Sequence, residues 1–158
     1  MSAIMQERSP QVLRWVTFRL ADEIYGINVM QVQEVLRMTD VAPVPGAPHY
    51  VMGIINLRGN VVTVLDTRKL LDLATDAITD SARIMIIESG KVTVGLLVDS
   101  VAEVVNIALS DIDPPPSVGN DEGSCYIQGI YSTAQQILIL IDLDKLITEE
   151  NRDAIGMP

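Results

Sequence analysis

The chain has a single cysteine among its 158 residues, Cys125, so no internal disulfide can form, and this suits a reducing compartment. With no nearby His or basic residue to lower its pKa, Cys125 reads as a small packing residue, not as a nucleophile. The lone histidine, His49, has no second histidine to complete a zinc site. Aromatic residues make up only 4 %, with one Phe and one Trp, so the core has to be built from Val, Ile and Leu, which favours strands. Positive charge is also scarce. Eleven Lys and Arg face 21 Asp and Glu, and the net charge of −10 repels nucleic acid and anionic lipid, with no basic stripe to override it. The apolar runs Tyr50–Leu57, Val92–Val98 and Ile137–Ile141 fall far short of the ~20 residues a spanning helix needs. Glu7, Arg8 and Pro10 stand where a signal peptide would be apolar, so the simplest expectation is a soluble cytoplasmic protein. A Gly-rich phosphate loop, a Ser elbow and clustered metal ligands are all missing, and neither cofactor nor metal is expected.

What is present is 48 % hydrophobic residues, enough for one domain or two tightly joined subdomains. Alternation predicts a strand over Gln11–Leu20, a turn at Asp22-Glu23 and a return strand over Ile24–Asn28. Val29, Val32, Val35 and Leu36 then share one helical face, which predicts a short helix over Val29–Leu36. Beyond the proline-rich connection Pro43–Pro48, the segment Gly53–Asp66 reads as an apolar hairpin bent at Gly59-Asn60, with Gly at the first central position of a type II′ turn. Arg58 is thereby a fixed cation at the tip. Asp66 follows as the N-cap of a helical stretch.

The second half replays this order. Ala82–Glu88 and Lys91–Val98 form a hairpin around Ser89-Gly90, Asp111–Gly123 is a loop, Cys125–Tyr131 and Gln136–Ile141 pair, and Asp142 caps a terminal helix. Gly26, Glu34 and Val35 match Gly95, Glu103 and Val104 at an offset of 69, and Gly53, Asp66 and Lys69 match Gly129, Asp142 and Lys145 at 76. Two copies of one small β-barrel unit follow, each of about five short strands. Asp66, Asp99 and Asp142 each follow an apolar strand, where enzymes often place acid/base groups, but the recurrence of Asp66 and Asp142 ahead of helical stretches is explained by capping. At the hairpin tip the copies differ. Asn56-Leu57-Arg58-Gly59-Asn60 stands opposite Ser132-Thr133-Ala134-Gln135-Gln136, so the framework repeats and the Asn, Arg and Gly do not. Divergence within a shared framework marks Arg58 as a binding residue.

The run Gly53-Ile54-Ile55-Asn56-Leu57-Arg58-Gly59, with Glu34-Val35 and Pro43-x-Pro45 before it and Gly95–Val101 and Leu140–Asp144 after it, resembles the CheW chemotaxis coupling family over roughly residues 12–148. No kinase or receiver domain is left over, which points to a stand-alone coupling protein and not to the similar regulatory domain of the histidine kinase CheA. The resemblance implies a mainly β fold of two Src-homology-3-like five-stranded barrels related by a pseudo-twofold, with short helices and a C-terminal helix. The expected layout is one domain over 11–150, a first barrel over 11–75, a second over 82–141, a helix over 142–150, and flexible termini at 1–10 and 151–158. It also implies a non-catalytic adaptor without cofactor or metal, whose partners are the regulatory domain of CheA and the cytoplasmic tip of methyl-accepting chemoreceptors at membrane-associated arrays. Neither nucleic acid nor direct membrane insertion is part of that role. Carried over by motif, Val32, Glu34, Val35, Gly53, Asn56, Leu57, Arg58 and Gly59 would contact receptor or kinase from the first barrel, while Val98 and Val101 would lie on the second barrel's side of an apolar groove. Arg58 would make a forked charge-assisted contact or orient the groove through a local hydrogen bond. A coupling protein for a chemosensory-like pathway controlling pili or development is the alternative, and a small Asp-dependent hydrolase is the rival from another class.

Overall fold

The β-branched runs do form strands. A computed structural model describes residues 11–75, 77–115 and 126–147, and Cys125, most of the Asp111–Gly123 loop and both termini lie outside that range. Ten strands follow in order: β1 Val12–Leu20, β2 Glu23–Asn28, β3 Val32–Arg37, β4 Val51–Leu57, β5 Asn60–Asp66, β6 Arg83–Ser89, β7 Val92–Val98, β8 Ser100–Ala108, β9 Ile127–Ser132 and β10 Ile137–Ile141. Two one-turn helices, α1 Thr67–Leu70 and α2 Leu143–Leu146, each start from an aspartate whose carboxylate accepts two backbone N–H groups, Asp66 from Arg68 and Lys69, Asp142 from Asp144 and Lys145. No helix among the described residues is long and apolar enough to cross a membrane.

The strands make two five-stranded sheets. Sheet A runs β8-β1-β2-β10-β9 and sheet B runs β3-β6-β7-β5-β4. Adding 69 residues to β1, β2 and β3 gives β6, β7 and β8, and adding about 76 to β4 and β5 gives β9 and β10, so the two sheet orders are the same order read through the repeat. In both, a parallel pairing joins the exchanged hairpin to the rest, β10 to β2 and β5 to β7. The expected barrels over 11–75 and 82–141 are therefore corrected. Each sheet takes its first hairpin from one sequence copy and its other three strands from the other.

The reason lies in the exchanged strands themselves, which are apolar on both faces. In β6, Ile84 and Ile86 join Val62, Val64 and Ile55 inside sheet B, while Met85 and Ile87 point to a larger cluster. In β1, Trp15 packs with Ile107, Leu138 and Leu140 inside sheet A, while Val16, Phe18 and Leu20 enter that same larger cluster. The shared cluster also takes Ile27, Leu65, Leu96, Ile141 and Leu143, and so lies between the sheets. A strand with two apolar faces needs cover on both, and only a position between two layers provides it.

The helix expected over Val29–Leu36 is corrected too. Val29–Gln31 is a single 3-10 turn, capped by the Asn28 side chain, and Val32–Arg37 is strand β3. The pairing with β6 slips at Gln33, with Val32 opposite Ile87 and Glu34 opposite Ile86. That bulge adds one residue to the strand and spaces Val32 and Val35 three apart, which mimics a helical period. Since neither sequence copy holds a complete sheet, fragments 11–75 and 82–147 should each lack a β-type far-UV circular dichroism spectrum and regain it on mixing. A folded spectrum from either fragment alone would contradict the exchange.

Candidate functional site

The tip of the β4–β5 hairpin is held in an uncommon conformation. Leu57 pairs with Asn60, so the two-residue loop is Arg58-Gly59, one residue earlier than the expected Gly59-Asn60. Both loop residues have positive φ, 52° at Arg58 and 88° at Gly59, which makes a type I′ turn and corrects the expected type II′. Glycine adopts this region without strain; a long side chain such as Arg58 does so at a cost. Two contacts hold it there. The Asn56 carboxamide oxygen accepts the Gly59 N–H at 2.8 Å. The Arg58 guanidinium then reaches over to β3 and forks onto Glu34, Nη1 to Oε1 at 3.3 Å and Nη2 to Oε2.

This ion pair joins the two edges of sheet B, because β3 and β4 are its outermost strands. Arg58 is 69 % exposed and Glu34 29 %, so solvent screens the pair and its role is to fix position more than to stabilise the fold. The Arg58 hydrogen bond holds the Glu34 carboxyl below its ordinary pKa, and Glu34 in turn raises that of Arg58.

The second copy lacks this arrangement. Ser132 pairs with Ile137, leaving a four-residue loop whose Thr133 hydroxyl accepts the N–H groups of Gln135 and Gln136. Glu103, the twin of Glu34, is held through its backbone by the Thr17 hydroxyl and forms no ion pair among the described residues. The ends do share exposed apolar residues. Val35 and its twin Val104 are 42 % and 45 % exposed, and Val61 and its twin Ile137 are 72 % and 54 % exposed. Sequence reading matched Val104 to Val35 without marking it as a site residue, and missed Val61 and Ile137, which the offset of 76 pairs.

The expected site residues fall into two groups. Glu34, Val35, Asn56, Arg58 and Gly59 are at the surface of the sheet B tip, with Leu57 half-buried beneath them. Gly53 is buried, and a Cβ there would come within 2.2 Å of the Ala42 carbonyl oxygen, where Ala42 and Ile54 exchange two backbone hydrogen bonds. Its twin Gly129 meets Ile112 and Asp113 in the same way, so close packing of chain on chain explains both glycines. Val98 ends β7 in sheet B, fully buried in the shared core, and offers no surface on the second barrel's side of a groove. Val32 and Val101 are half-buried against the same core.

The three aspartates weighed for chemistry are engaged elsewhere. Asp66 and Asp142 cap helices, and Asp99 accepts Arg68 Nε at 2.9 Å and the Ala21 N–H at 2.7 Å. Among the described residues no three His, Cys, Asp or Glu side chains converge as metal ligands. For Glu34, a depressed folded-state pKa means stabilisation that is present above the unfolded carboxyl's pKa and lost as pH falls through the folded value. A carboxyl-detected NMR titration should therefore place Glu34 below an ordinary glutamate, and Arg58→Ala should return it to the ordinary range. An unshifted Glu34 in the wild type would mean that the fork does not persist in solution.

Comparison with known proteins agrees with this architecture. Residues 14–151 match the CheW-like domain. The chain is 33 % identical over 141 residues to the chemotaxis protein CheW of Treponema pallidum, covering 85 % of this chain and 82 % of the relative. It is 29 % identical to the protein FrzA of Myxococcus xanthus over 141 residues, 88 % of each chain. The crystal structure of the scaffolding protein TtCheW from Thermoanaerobacter tengcongensis superposes with a TM-score of 0.80 at 33 % identity, covering 89 % of this chain and 96 % of that one. The shared fold is mainly β, with two Src-homology-3-like subdomains, here the five-stranded sheets A and B. With the domain match running through all ten strands and both helices, the chain belongs to the CheW-like family.

Proposed function

We propose that this protein is a non-catalytic adaptor that couples methyl-accepting chemoreceptors to the histidine kinase CheA, so that receptor occupancy controls the kinase. It would act in the cytoplasm at membrane-associated receptor arrays. The observation that carries this reading is the pair of alike but unequal ends. Each subdomain exposes an edge-strand valine and a hairpin aliphatic residue, Val35 with Val61 and Val104 with Ile137, while only one adds the Arg58–Glu34 fork. Two apolar ends on one rigid body suit a linker between two partners, and the fork gives one end a specificity the other lacks. Family membership and the likeness to a scaffolding protein support the same conclusion.

In this reading the fork fixes the tip at which Val35, Asn56 and Val61 are exposed, and the strained Arg58 backbone is retained for that purpose. The likeness to FrzA supports a second reading, a coupling protein for a chemosensory-like pathway that controls pili or development. Which kinase the protein places under receptor control distinguishes the two.

Arg58→Glu should melt close to wild type, because its side chain is largely solvated, yet lose receptor control of CheA when reconstituted with receptor-containing membranes. The exchange Glu34→Arg with Arg58→Glu rebuilds the pair in reverse and should restore part of that control. Full coupling by the single variant would remove the tip from the interface. Turnover of a substrate by the isolated protein, abolished by Asp66→Asn without unfolding, would overturn the adaptor reading as a whole.

A further inference from the structure

Two cations face each other where the fold would be better off without them. Arg37 on β3 and Arg83 on β6 are direct cross-strand partners, an arrangement in which like charges repel. Neither forms an ion pair with a described residue. Arg83 is held by its Nη1, which donates to the carbonyl oxygens of Asp80 at 3.0 Å and Ala82 at 2.8 Å, while the exposed Arg37 makes no hydrogen bond to a described residue. The two line an open cleft of about 390 Å³ with Met38, Ile78, Thr79 and Asp80, and Ile78 is itself exposed.

The internal repeat shows that the arginine pair is not a requirement of the fold. At the offset of 69, Arg83 corresponds to Arg14 and Arg37 to Asn106, and Arg14 and Asn106 are paired in sheet A in the same register. The twin position keeps one cation and replaces the other by a neutral amide. Sheet B retains both, within a chain of net charge −10, so the cleft carries two cations against the single carboxylate of Asp80 in its lining.

We propose that the Arg37–Arg83 cleft docks an acidic polypeptide segment of a partner protein. Carboxylates of that segment would accept hydrogen bonds from both guanidinium groups, and its apolar atoms would lie on Met38 and Ile78. The cleft uses none of the tip residues Asn56, Arg58 or Glu34, so it is a separate surface from the one assigned to coupling.

The test uses the full chain and a fluorescein-labelled deca-glutamate peptide. Binding should shift the amide signals of residues 37, 38 and 78–83, and Arg37→Asn, which copies the twin, should weaken it about tenfold at unchanged or higher melting temperature. Arg14→Asn removes the same charge at the twin position and should leave binding unchanged. The proposal fails if Arg14→Asn weakens binding equally, if inorganic phosphate produces the same shifts, if the peptide produces none, or if Arg37→Asn lowers the melting temperature.

Discussion

The apolar core between the two sheets is the constraint on which the rest of the structure depends. It is built from the second faces of β1, β2, β6 and β7, strands whose first faces already fill the interiors of the two sheets. Removing sheet B would leave Phe18 and Ile27 in water, and removing sheet A would leave Met85, Ile87 and Leu96 there, at roughly 1.5–3 kcal/mol for each side chain. The two subdomains are thus held as one body by the hairpins they exchange. The crossed connections leave no single linker that could serve as a hinge between the sheets.

On that body the tip of sheet B differs from the tip of sheet A by a small number of residues. A left-handed arginine, an asparagine that holds the following glycine, and a glutamate on the far edge strand turn one end into a charged, preorganised surface. The other end, with Thr133 closing a longer loop and Glu103 unpaired among the described residues, keeps the apolar residues alone. Duplication supplied a common frame, and specificity resides in the departures from it. The Arg37–Arg83 pair opposite Arg14–Asn106 is a second departure of the same kind.

Much of the fold was legible in the residues. Alternation and β-branching located eight of the ten strands, all but β3 and its twin β8, the recurring aspartates located both helix caps, and the offsets revealed the repeat. Three features were not legible, each for a physical reason. The bulge at Gln33 broke the two-residue period and made β3 look helical. The hairpin turns fall one residue away from the expected positions because pairing of the flanking strands sets the register, so Arg58 itself takes a positive φ. The exchange of hairpins left no local mark, since each hairpin satisfies either sheet by the same symmetry that makes the repeat visible. For the site, Arg58 stood out through divergence from its twin, whereas the burial of Gly53 and Val98 depends on contacts distant in the chain.

Native-state hydrogen exchange tests the interlocked core most directly. If the exchanged hairpins bind the subdomains into one body, the slowest amides of β1 and β2 in sheet A and of β6 and β7 in sheet B will open with the same free energy and the same denaturant dependence, that of global unfolding. Sheet A amides that open independently of sheet B, or the reverse, would contradict the account.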